Sequence, residues 1–81
     1  MSEEILLVFS STRDAIAGER ALLAATLPVK VMPIPADLSD QCGICLRLPP
    51  ELLEAGQTAL WAAGISIAEV YRRQNDIVTP L

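Results

Sequence analysis

The chain is 81 residues long, enough for one domain that buries only roughly 60–65% of its unfolded surface and leaves no room for an enclosed substrate cavity beside its core, so a self-sufficient enzyme is not expected. Six Lys+Arg against ten Asp+Glu, net −4, argue against nucleic acid as a partner, and two Cys with no His exclude a Ser-His-Asp or Cys-His site and a one-chain zinc site; nothing asks for a cofactor or a resident metal. The chain is 52% apolar but has no uninterrupted apolar run of about 18–20 residues, and Met1-Ser2-Glu3-Glu4 is acidic where a signal peptide is basic, so the expectation is a soluble, cytoplasmic protein without a membrane partner.

Glu4 to Phe9 is a short apolar run typical of a buried strand. Ser10-Ser11-Thr12 ends it, and Ser11 with Asp14 three residues on reads as a variant capping box opening a helix over Thr12–Thr26. Ala15, Ile16, Leu22, Leu23 and Ala25 make its expected apolar face, and Pro28 stops it. Val29–Pro33 is a second strand, confined to an edge or cut short by Pro33 and Pro35. Ile34–Gly43 has turn chemistry, and Ile44–Leu48 alternates as a half-buried strand containing Cys45 and Arg47, the latter expected to be exposed. Pro49-Pro50 opens a second helix with Leu52, Leu53, Gly56, Ala59, Leu60 and Ala63 inward, Trp61 half-exposed at the core edge and Gly64 just past its end. Ile65–Tyr71 is the last strand, Arg72-Arg73 a solvated strand end, and the residues from about 75 to 81 a flexible tail.

The order β-α-β-β-α-β predicts an α+β sandwich of the split β-α-β, ferredoxin-like kind, with four antiparallel strands and both helices on one face, all within a single domain over residues 1–81. Leu6 and Val8 then point away from the helices, which makes the helix-free face a candidate docking or homodimer surface.

Chemistry concentrates in Ser39-Asp40-Gln41-Cys42-Gly43-Ile44-Cys45. In the expected topology the first two strands run the same way, so this loop shares an edge with Ser10, Ser11 and Thr12 at the start of the first helix. A helix N-terminus carries about half a positive charge and unpaired N–H groups, both favourable to a thiolate. An ordinary thiol has a pKa of about 8.5, and such a setting lowers it by one to several units. Gly43 leaves space for another protein to approach Cys42. The competing reading makes Cys42 and Cys45 inert small hydrophobes. Glu19, on or beside the apolar face of the first helix, either ties down the Pro33–Gly43 loop or is solvated at the edge of the stripe.

Phe9-Ser10-Ser11-Thr12, Ala15 and Glu19 before Leu23, Val31-x-Pro33-x-Pro35, and Leu38-Ser39-x-x-Cys42-Gly43 together resemble the selenium/sulfur carrier protein-like family. Ala63-Gly64-Ile65 through Glu69-Val70-Tyr71 resembles that family's last helix-strand unit, so the likeness covers nearly the whole chain. The resemblance implies uptake of sulfur or selenium on Cys42 as a persulfide or selenopersulfide, from a cysteine desulfurase-type donor and toward selenium- or sulfur-using acceptor proteins. It carries the family's cysteine, glycine and helix acid onto Cys42, Gly43 and Glu19. Cys45 departs from the family pattern and suggests a resolving thiol. Two other functions remain open at this point. One is Cu(I) binding by Cys42 and Cys45, since two thiolates suit a soft metal. The other is a plain interaction module using the Leu6/Val8 face.

Overall fold

A computed structural model describes residues 3–35, 38 and 43–81. Five strands and two helices follow in the order β1 (Glu3–Val8), α1 (Thr12–Ala24), β2 (Lys30–Pro33), β3 (Ile44–Leu48), a single 3₁₀ turn (Pro50–Leu52), α2 (Leu53–Ala62), β4 (Glu69–Gln74) and β5 (Ile77–Pro80). The sheet is antiparallel throughout, in the order β2-β3-β1-β4-β5. Its first four strands have the expected ferredoxin-like arrangement, and β5 makes the sheet five-stranded instead of four.

β1 is apolar on both faces because both faces are covered. Ile5, Leu7 and Phe9 join Ala15 and Leu22 of α1 and Leu60 of α2 in the larger core. Leu6, Val8 and Cys45 form a second cluster on the opposite face, flanked by Met32, Ile34, Leu38, Tyr71 and Val78. Leu6 is 0% exposed and Val8 1%. The helix-free face is therefore not the open apolar patch that the alternation of β1 suggests: β2, β4, β5 and Leu38 of the following loop supply its cover. An acidic residue at Val8 would test folding, not docking.

The inward face of α1 is Ala15, Gly18 and Leu22; Ile16 and Leu23 are 42% and 51% exposed. The expected face was turned too far toward the large side chains because α1 lies very close to the sheet. A Cβ on Gly18 would stand 3.0 Å from Phe9 Cζ, so the closest approach takes the smallest residues and the larger ones flank it. α2 does the same through Gly56, whose added Cβ would meet Leu48 Cδ1 at 2.7 Å.

Both helices end in the same hydrogen-bonded turn. Leu27 N–H donates to Leu22 O and Thr26 N–H to Leu23 O after α1; Ile65 N–H donates to Leu60 O and Gly64 N–H to Trp61 O after α2. The left-handed position is Gly64 at φ 74 in one and Thr26 at φ 59 in the other. Trp61 itself is 85% exposed, not packed at the core edge.

Two boundaries differ from the sequence reading. Ile65 and Ile67 alternate like a strand, but they cap the helix side of the core, and pairing with β1 starts only at Glu69. The stretch expected to be a tail turns at Asn75 (φ 57) and Asp76 and pairs back on β4, Gln74 with Ile77 through Tyr71 with Pro80. Among the described residues no helix is long and apolar enough to cross a membrane.

Candidate functional site

Cys42 lies outside the described residues, as do Ser39, Asp40 and Gln41. What can be built is the frame on either side of them. β2 and β3 pair from Lys30 with Arg47 to Pro33 with Ile44, and Ile34 N–H donates to Gly43 O at 3.2 Å, which closes the base of the loop. Within it Leu38 N–H donates to Pro35 O at 3.0 Å, and Leu38 packs on the helix-free face. Gly43 is exposed, and apart from its chain neighbours no described residue comes within 4 Å of a Cβ built on it.

The first strand delivers the start of α1 to the same end of the sheet. β1 and β2 both run antiparallel to β3, so their C-terminal ends lie on one edge. Leu7 stands opposite Leu46, and that register carried forward brings Ser10 level with Gly43. Ser11 is the N-cap, extended at φ −152 and ψ 159, and its Oγ accepts the Asp14 N–H at 3.1 Å. The Asp14 carboxylate accepts the Ser10 hydroxyl at 3.3 Å. The cap therefore has the expected residues. It also places a carboxylate in the first turn of α1, where it offsets part of the positive end of the helix dipole.

Ser10, Ser11 and Thr12 thus share an edge with Gly43. Glu19 does not: seven residues into α1, it lies roughly 10 Å further along the helix axis. It is half-buried. Cys45 is 0% exposed on the floor of the second cluster, facing Met32 across the strand pair. A role as resolving thiol or metal ligand requires its sulfur to leave that floor.

The arginines are placed by the two-residue period of the strands. Arg72 and Arg73 point to opposite faces, and each meets a glutamate of β1: Arg72 Nε lies 3.1 Å from Glu3 Oε2 and Arg73 Nη2 lies 3.0 Å from Glu4 Oε2. Arg47, expected as an ordinary exposed strand residue, is half-buried and reaches the other Glu4 oxygen at 3.4 Å. The pattern that could have shown this is Glu4 on a central strand whose neighbours both offer an arginine. Among the described residues no group of three or more Cys, Asp or Glu is arranged to hold a metal ion.

Comparison with known proteins bears on the same chain. It is 32% identical over 77 residues to the Escherichia coli K12 protein named "Uncharacterized protein YtiA", covering 93% of this chain and 85% of that one. No solved structure matches it. The family model described as "Putative Se/S carrier protein-like" matches residues 4–72, from the first strand through the second helix to the fourth strand, and the chain belongs to that family.

Proposed function

We propose that this chain is a carrier that takes up sulfur or selenium on Cys42 and hands it to an acceptor protein. The observation that carries the reading is the family match over residues 4–72, which includes the whole loop between β2 and β3. The frame around the loop supports it: an exposed Gly43, a closed hairpin base, and a capped helix start on the same edge.

The transfer needs no oxidant. The Cys42 thiolate attacks the outer sulfur of a donor persulfide. A new S–S bond forms on Cys42, the donor's S–S bond breaks, and the donor leaves as a thiolate. The sulfane proton stays on the transferred atom or exchanges with water. An acceptor thiolate repeats the attack and returns Cys42 to its thiolate. Selenium follows the same course. The rest of the protein has to keep the thiol ionised, accessible and held on a rigid frame. Donor and acceptor would be a cysteine desulfurase-type enzyme and a selenium- or sulfur-using protein.

The test is mass spectrometry of the chain after incubation with a cysteine desulfurase and cysteine. One added sulfur mapped to Cys42, absent in Cys42→Ser and retained in Cys45→Ser, is the expected result. An unlabelled Cys42 beside a loaded control carrier overturns it. A Cu(I) site spanning both cysteines has less support, because Cys45 is sealed among Leu6, Val8 and Met32.

A further inference from the structure

The helix-free face has two unlike halves. Its half near Gly43 is the apolar cluster around Leu6, Val8 and Cys45. Its other half, at the N-terminal end of β1, collects charge. Lys30 stands directly opposite Arg47 on the neighbouring strand, with Cα atoms about 5 Å apart. Like charges in that position repel each other and weaken the sheet. Glu4 is the acidic side chain that pairs there, and it is divided: Oε1 lies 3.4 Å from Arg47 and Oε2 lies 3.0 Å from Arg73. Two arginines thus share one carboxylate, with Lys30 a third cation across from Arg47, in a chain whose net charge is −4. Glu4 is held by the arginines at 16% exposure, while Arg47 remains 36% exposed and Lys30 lies at the surface. Beside this pair is a shallow cavity of about 280 Å³, walled by Pro28, Leu48 and Pro49 and by Glu3 and Glu4, whose carboxylates are engaged by Arg72 and by Arg47 and Arg73.

The geometry points to an oxyanion-binding site between Lys30 and Arg47, with a tetrahedral phosphate-class anion bridging the two cations. Two cations on adjacent strands are spaced for neighbouring oxygens of one such anion, and the planar fork of Arg47 presents donors that Glu4 Oε1 does not occupy. Arg73 acts as a positioning residue: it holds Glu4 Oε2, so that Oε1 is the oxygen that meets Arg47. The anion relieves the Lys30–Arg47 repulsion that the fold otherwise carries. This site lies at the end of β1 opposite the cysteine loop, so it stands whether or not Cys42 carries sulfur.

The experiment is a ¹H–¹⁵N NMR titration of the full chain with inorganic phosphate, with glycerol phosphate and with sodium chloride at matched ionic strength. Expected are saturable shifts of the Lys30 and Arg47 amides with both phosphates and not with chloride, with affinity about fivefold weaker in Lys30→Gln. Tighter binding of glycerol phosphate assigns the site to a phosphomonoester, and equal or weaker binding assigns it to the free anion. A Glu4→Gln variant that remains folded should bind phosphate more tightly. Shifts that stay linear, that appear equally with chloride, that persist unchanged in Lys30→Gln or that centre on Ser11–Asp14 overturn the proposal.

Discussion

A methyl group added at Gly43 meets no described residue within 4 Å other than its chain neighbours, whereas at Gly56 it lands 2.7 Å from Leu48 Cδ1. Leu48 is 1% exposed and has little freedom to yield. Gly56→Ala should therefore lose about 1–2 kcal/mol in urea unfolding, overpacking outweighing the gain in helix propensity. Gly43→Ala should leave stability within about 0.5 kcal/mol. If Gly43 serves access to Cys42, the same variant slows sulfur loading in a chain that unfolds like the parent, and unchanged loading removes that role. At this scale the sequence was legible wherever local chemistry decides. The Ser11 cap and the Gly64 turn are set by neighbours three or four residues away. Arg47 and Trp61 were misjudged because strand partners and helix rotation, not adjacent residues, fix their exposure.

Thr26 shows what an element tolerates at its end. It takes the left-handed position that Gly64 takes after α2, although a β-branched residue there is disfavoured by about 1–2 kcal/mol. Its hydroxyl donates to the Ala25 carbonyl, which offsets part of that cost. Thr26→Gly should raise stability by about 0.5–1 kcal/mol, the relief of strain exceeding the entropy glycine loses. An increased urea midpoint at unchanged slope is the check. Six of the seven strands and helices were readable from period and punctuation. β5 was not: it is four residues long, ends in Pro80, and is announced only by Asn75-Asp76 between two short alternating runs. β4 was placed too early because Ile65 and Ile67 have the right spacing for a strand but pack beneath the core.

For the molecule as a whole, β5 completes the cover of the helix-free face. Val78 packs against the cluster of Leu6, Val8 and Cys45, and pairing with β5 satisfies the outer edge of β4. Removing residues 75–81 should lower stability by about 1–2 kcal/mol, through lost burial of Val78 and its neighbours. A truncated chain with an unchanged urea midpoint would show instead that this strand adds nothing. The ferredoxin-like order was legible because right-handed connections leave few arrangements for these elements. The charged half of the sheet face was not legible, because it joins Glu4, Lys30, Arg47 and Arg73 from four strands far apart in the chain.

The double-sided burial of β1 also bears on how the chain comes into being. Ile5-Leu6-Leu7-Val8-Phe9 leaves the ribosome before either strand that will flank it: Leu7 finds its place beside Leu46, and Val8 beside Glu69. At ordinary synthesis rates of about 5–20 residues per second, this segment stays uncovered for on the order of several seconds. A five-residue run with no charge and no proline is the kind that stacks with copies of itself while it waits. Glu3 and Glu4, immediately ahead of it, put two negative charges where such stacking would begin. The carboxylate that later joins two arginines in the finished sheet is thus also placed to guard the nascent strand.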